Sequence, residues 1–395
     1  MRQSLSYLRG HGRVIGWLAL ALAGLGWLLL HKLGSLTGGL SAGELVSAKA
    51  PVGWHGIYHD PFYLPLKLVR SVVFVLFKIH GQTLTRLPNA LFGGLAVISF
   101  VWLVKLWHST RTAVLAGLLF AAGAWVLHVS RLASFDVLYL WATPALLLVQ
   151  VLLQKYPKRA TVWYGSLMVW GLVLYVPGLV WLVLLSLYFQ RRSFGKAWRH
   201  FGRWWQRALY SLALLVWLPL LVLNLTWPGN LLAWLGWPAH LAAPRALLKQ
   251  FVGVPVHLFI RGPEYPTLWL ARTPVLDIFT LAVCVIGIYF YATHWQAARS
   301  RLLGAFALAS VVLVGLGGPV DLSLLVPLLY VAAAAGIAYL LHEWLQIFPN
   351  NPLARGLGIG FIILAISLSC VYNLRAYFVA WPHNAVTRSV FQYHR

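Results

Sequence analysis

Apolar runs of membrane-spanning length recur along the chain, separated by short polar clusters. A hydrocarbon core about 30 Å thick needs roughly 20 mostly apolar residues per helix. Such runs occupy residues 14–30, 87–106, 112–129, 134–153, 161–174, 176–190, 207–224, 275–293, 303–317, 321–341 and 356–372. The pattern predicts an all-α, polytopic transmembrane protein of about eleven spans, with residues 1–395 forming one domain. The first run follows Arg2, Arg9 and Arg13 and is longer than the roughly 7–15 apolar residues of a signal-peptide core. It is expected to stay as the first span, with the N-terminus inside. Tyr175-Val176-Pro177-Gly178 divides residues 161–190 into two short helices or interrupts one long helix. The basic cluster at 191–207 favours two, because that count leaves it on the inner face.

Two segments outside the spans are long enough to be more than connectors. The first outer loop, 31–86, contains Pro61 to His80, an aromatic and aliphatic stretch with Lys67, Arg70 and Lys78 interspersed. It reads as an interfacial helix lying on the membrane. The second outer loop, 225–274, carries Trp227, Trp234, Trp237 and Trp269 among prolines, as expected of a segment dipping into the headgroup layer. Residues 373–395 form an outer C-terminal tail. No internal repeat or pair of matching broken helices is evident, which counts against an inverted-repeat transporter.

Composition sharpens the membrane reading. The 395 residues are 61% hydrophobic and 10% charged, far from the roughly 25% charged of soluble domains. The net charge of +24 comes from 31 Lys and Arg spread among the span boundaries, where membrane lipids are the expected partner and nucleic acid is not. KYPKR at 155–159 and RRSFGKAWRHFGRWWQR at 191–207 fall on the inner side, as the positive-inside bias requires. Cys284 and Cys370 lie in apolar runs and read as small buried hydrophobes. No phosphate-binding P-loop, dinucleotide fingerprint, HExxH or GxSxG is present.

Acidic residues are few: Glu44, Asp60, Asp136, Glu264, Asp277, Asp321 and Glu343. In this topology all but Glu343 lie outside, a one-sidedness that the insertion rule does not demand. Ser41 and Glu44 have capping-box spacing, so Glu44 is either a helix cap or a base or charge-stabilising carboxylate. His59 and Asp60 precede Pro61, joining a metal-capable imidazole to a carboxylate that equally suits a helix start. Asp136 is about to enter the bilayer, where a carboxylate is expensive unless paired or facing a wet cavity. Arg131 either pairs with it or binds a phosphate. Arg261 and Glu264, in RGPEYP, combine a phosphate-capable cation with a carboxylate, and also suit an ordinary solvated loop. Asp277 and Asp321 read as helix-start charges. The histidines, His128 among them, read as polar anchors at the interface because none shows ligand spacing.

The ordered set of Glu44 in LSAGELVSAK, HDPFYLP at 59–65, Arg86-Leu87-Pro88 and SRLASFD at 130–136 resembles the C-type membrane glycosyltransferases. The likeness is to the bacterial branch similar to protein O-mannosyltransferases and lipid A aminoarabinose transferases, and covers roughly residues 10–150. It implies transfer of a sugar from a polyprenyl-phosphate donor to a glycan, lipid or protein acceptor, on the outer face of the cell membrane. It also implies a first-loop acid as catalytic base and a supporting carboxylate after the third span, positions matched by Glu44 and Asp136. Many relatives have Asp or Asp-Glu where this chain has a single Glu, and its first loop is shorter. Such chemistry needs cations at the leaving phosphate, for which Lys49, Arg131 and Arg261 are candidates, or a divalent metal, Mg or Mn, on His59 and Glu44. Asp60 completes the candidate catalytic acids. A lipid or lipid-linked glycan carrier and a non-catalytic membrane scaffold are the competing expectations.

Overall fold

The computed structural model describes residues 2–49, 60–77, 81–226, 229–264, 269 and 273–392, and every regular element among them is helical. The longer helices are α1 (Arg2–Leu30), α2 (Ala42–Lys49), α3 (Leu64–Phe77), α4 (Gln82–Trp107), α5 (Thr110–Ala122), α6 (Ala124–Arg131), α7 (Val137–Lys155) and α8 (Ala160–Leu174). There follow α9 (Val180–His200), α10 (Arg203–Thr226), α11 (Gly229–Trp234), α12 (Pro244–Phe259), α13 (Ile278–Thr293), α14 (Ala298–Gly315), α15 (Val326–Ile347) and α16 (Pro352–Arg375). Each apolar run of the sequence falls on a helix. Six described helices are long and apolar enough to cross a membrane, or seven if α5 and α6 form one span bent by 61°; the apolar parts of α1, α8 and α13 are shorter. Packed helices can carry short spans where neighbours bury their ends.

Glycines set the breaks and the closest approaches. Gly123 joins α5 to α6, and a Cβ there would stand 2.5 Å from the Tyr330 hydroxyl. The chain between α8 and α9 turns through Gly178 at φ +79°, so residues 161–190 form two helices. In the centre, α13 and α15 lie against each other through Gly287 and Gly336, whose added Cβ atoms would come within 1.7 Å of the Ala332 carbonyl oxygen and 1.9 Å of the Val283 carbonyl oxygen. Small residues at such crossings let backbones pack where lipid offers no hydrophobic drive.

One expectation about the segments outside the spans, that for Trp269, needs correction, and the other two segments gain detail. Helix α3 lies where the surface helix is expected. Lys67 and Arg70 are buried against the protein, while Val72, Phe74, Val75, Leu76 and Phe77 are exposed. Both faces are apolar enough that the periodicity does not choose between them; the ion partners waiting inside do. In the second outer segment, Trp269 is buried rather than at the headgroups, its ring 5.1 Å from Trp125 and 4.8 Å from His128. The last residues fold back: a π turn at Ala376–Ala380 and two short helices, α17 (Trp381–His383) and α18 (Ala385–Val390), bury Tyr377, Trp381 and Phe391. His128, expected at the interface, is enclosed edge-on by Trp269, Tyr377 and Trp381.

Candidate active site

The site is built on a buried ion pair between the first outer loop and the start of α4. Ser41 and Glu44 close the capping box of α2: the Glu44 amide donates to Ser41 Oγ (3.2 Å) and the Ser41 amide donates to Glu44 Oε2 (3.0 Å). The same carboxylate takes a fork from Arg86, with Nε at 2.7 Å and Nη2 at 2.9 Å, and a fourth bond from the Ala133 amide at 2.9 Å. Arg86 also donates to the carbonyls of Leu33 (3.0 Å) and Gly39 (2.9 Å) and to Thr37 Oγ1 (3.2 Å). Both side chains are about 2–3% exposed. Four donors occupy the acceptor directions of the carboxylate, so Glu44 ties α2, α4 and the 132–136 loop together.

Two further arginines hold the same loop. Arg70 donates to the Ser47 carbonyl (2.6 Å) and to Asn89 Oδ1 (3.3 Å), and Asn89 in turn donates to the Ser134 carbonyl (2.5 Å). Burial brings the Arg70 guanidinium down to about 10, with Glu44 opposing the shift. Arg131 donates to the carbonyls of Leu28 and His31 at the end of α1 and lies over the rings of Tyr377 and Phe378. It therefore caps a helix C-terminus, a place where cations are favourable, and does not pair with Asp136. A Cβ on Gly93 would stand 2.3 Å from Ser130, which shows how closely α4 and α6 approach here.

This scaffold presents a group of acids. Asp136 begins α7 and is half-buried; burial first, and the nearby charge of Asp321 second, push its carboxyl well above the usual range. Asp321 caps a short 3₁₀ turn, accepting from the Ser323 amide (3.0 Å) and hydroxyl (2.6 Å). Tyr63 feels the charges of Asp136, Asp60 and Asp321 and stacks on Phe135 with centroids 4.3 Å apart. Burial is the main reason that its hydroxyl rises to about 12. Its backbone is left-handed, φ 59°, and its amide donates to the Tyr175 carbonyl at 2.8 Å. For an aromatic residue that conformation costs about 1–2 kcal/mol, and such strain collects at working sites. Asp60 is about half exposed and forms an ion pair of 2.7 Å with buried Lys67. Burial lowers the Lys67 ammonium and Asp60 opposes that.

The expected site residues divide accordingly. Asp60 and Asp136 share the acidic group, while Glu44 and Arg131 lie in the scaffold beneath it. Arg261 and Glu264 are exposed and pair with each other. The side chain of Lys49, and His59 entirely, lie outside the described residues. Sequence reasoning did not select Asp321, Tyr63, Lys67, Arg70 or Arg86 as site residues. Asp321 does cap a turn as expected, and only the fold puts it beside Asp136. Among the described residues, no three His, Cys, Asp or Glu side chains are placed to hold a metal ion. Glu44, its carboxylate filled by four donors, does not fit that task.

The sequence matches no protein-family model and no curated protein. Solved structures do share the fold. ArnT from Cupriavidus metallidurans in the apo state is 12% identical, with a TM-score of 0.56 over 96% of this chain and 78% of that one. The same enzyme bound to undecaprenyl phosphate gives 13%, 0.52, 95% and 77%. The apo oligosaccharyltransferase of Archaeoglobus fulgidus is 16% identical, with a TM-score of 0.55 over 92% of this chain and 56% of that one. The resemblance to C-type membrane glycosyltransferases, drawn from residues 10–150, thus extends at the level of fold over nearly the whole chain.

Proposed function

We propose that the protein is a membrane glycosyltransferase that moves a sugar from a polyprenyl-phosphate donor to an acceptor hydroxyl on the extracytoplasmic face. The observation that carries this reading is half-buried Asp136 at the start of α7, on a loop fixed by Glu44 and Asn89, in a fold shared with ArnT and an oligosaccharyltransferase. In the reaction the acceptor oxygen attacks the anomeric carbon and the bond from that carbon to the phosphate oxygen breaks. The lipid phosphate leaves with the bonding electrons. Asp136 takes the acceptor proton, and a base with a raised pKa is better matched to that task at neutral pH than an ordinary carboxylate. Asp321 holds negative charge near the developing oxocarbenium character, and the stacked rings of Tyr63 and Phe135 offer an apolar face for the sugar. Lys67 balances Asp60 at the rim.

Glu44 and Arg131 act in this scheme as positioning residues, fixing the loop from Ala133 to Asp136. No step is assigned to a metal. The test is transfer from a labelled polyprenyl-phosphate sugar to envelope acceptors by protein reconstituted in vesicles. Asp136→Asn is expected to lower kcat by at least about 100-fold, the scale of a lost general base, with the thermal midpoint retained. Full transfer by this variant would overturn the assignment. Movement of the lipid across the vesicle membrane by wild-type protein, with its covalent structure unchanged, would support the carrier reading instead.

A further inference from the structure

A groove of about 290 Å³ opens between the end of α1 and the junction of α16 with the π turn. Its apolar wall consists of Trp27, Leu36, Leu374, Phe378 and Val379, and its polar edge of His31, Lys32 and Arg375. No carboxylate lines it, and among the described residues no ion pair involves Lys32 or Arg375. Both cations are exposed; Lys32, at φ 51°, lies just past the end of α1, and Arg375 lies at the junction of α16 with the π turn that continues it. Trp27 stacks on His31 at 4.8 Å and reaches Phe378 at 6.3 Å, so the wall runs continuously from one helix to the other.

At the end of α1, an aromatic ring, Trp27, with a cation, Lys32, just beyond it matches the boundary between acyl chains and headgroups, and Arg375 faces the same groove. We propose that this groove seats an anionic phospholipid, its phosphate between Lys32 and Arg375 and the start of its acyl chains against Trp27 and Phe378. A free phosphate ion would meet the two cations but leave the apolar wall uncovered, so the lipid is the occupant that fits the whole groove. The site also has a route to the acids. Arg131 donates to the carbonyl of His31 in the groove wall and to that of Leu28 one turn earlier in α1, and lies over Phe378. It stands at the start of the loop that ends at Asp136. A lipid clamped across α1 and α16 therefore steadies the anchor of that loop.

The experiment is native mass spectrometry of purified protein in neutral detergent, titrated with phosphatidylglycerol or phosphatidylcholine, alongside Lys32→Asn/Arg375→Gln. Asparagine is chosen at residue 32 because it tolerates the left-handed backbone. Wild-type protein is expected to retain one phosphatidylglycerol at least about 10-fold more tightly than phosphatidylcholine, and the double variant to lose that preference. Its thermal midpoint without added lipid should equal that of the wild type. Equal retention by variant and wild type overturns the proposal. So does the same loss in Arg191→Gln/Arg192→Gln, a control in the distant α9 cluster, because the effect would then be bulk charge. Full displacement of the lipid by millimolar inorganic phosphate also overturns it, since the groove would then be a site for the ion alone.

Discussion

Replacing Glu44 by glutamine keeps the shape of the side chain and removes its charge. Arg86 then remains buried, facing three backbone or hydroxyl oxygens and a neutral amide, and the amide must turn a nitrogen toward at least one donor. Removing one partner of a buried, hydrogen-bonded pair costs about 3–5 kcal/mol. Glu44 supports four bonds from three parts of the chain, so the upper half of that range is expected. The unfolding entropy typical of globular proteins, scaled to 395 residues, is roughly 0.8 kcal/mol per kelvin. The thermal midpoint should therefore fall by about 5–6 °C. Helices that persist in detergent reduce the entropy of the transition, which makes this a lower bound. Tryptophan fluorescence during heating of the purified variant measures it. Glu44→Leu with Arg86→Met removes both charges and should recover part of the loss, though not all, because the Leu33 and Gly39 carbonyls lose their donor. An unchanged midpoint in Glu44→Gln combined with complete loss of sugar transfer would refute the scaffold role and return Glu44 to the position of catalytic base.

The raised carboxyl of Asp136 gives stability and activity opposite pH dependences. Above the ordinary carboxylate value of about 4 and up to its folded value, the folded chain holds more protons than the unfolded one, so stability falls as pH rises through that window. Transfer rises across the upper part of the window as the base becomes ionised, and Asp136→Asn should abolish this dependence of stability in chemical denaturation measured at several pH values. At the α13–α15 crossing, Gly336→Val forces a side chain into the Val283 carbonyl oxygen. Overpacking typically costs about 1–3 kcal/mol, and backbone cannot yield as a side chain can, so loss of a monodisperse peak in size-exclusion chromatography is expected. Wild-type elution of that variant would contradict the close packing.

The helices were legible because a bilayer demands long apolar runs; every such run is helical, and only that at 112–129 is broken, at Gly123. What the runs do not encode is which side of a helix turns inward when both sides are apolar. Lys67 and Arg70 in α3 look like snorkelling cations until Asp60, Ser47 and Asn89 are placed beside them. Glu44 was legible as a capping-box residue, and it is one, but the fork from Arg86 and the bond from Ala133 come from far along the chain. Asp321 likewise makes the local turn that its sequence suggests. Its second property, proximity to Asp136, arises only when the segment before α15 packs beside the start of α7.

The charges near the site are separated into two levels with different jobs. Arg70, Arg86 and Arg131 lie below; Arg86 pairs with Glu44, Arg70 feels its charge, and the three donate mostly to carbonyl oxygens of loops and helix ends. Asp60, Asp136 and Asp321 lie above, with Lys67 as the buried cation among them. An acid pushed up by burial and by another acid is held at a cost, and the loop carrying it would relax if it were free to move. It is not free: the Ala133 amide is fixed by Glu44 and the Ser134 carbonyl by Asn89. Fixed polar groups stabilise a reacting charge without reorganising at the moment of reaction. In the proposed reaction the arginine level therefore matters without touching a substrate, because it holds the loop that carries Asp136.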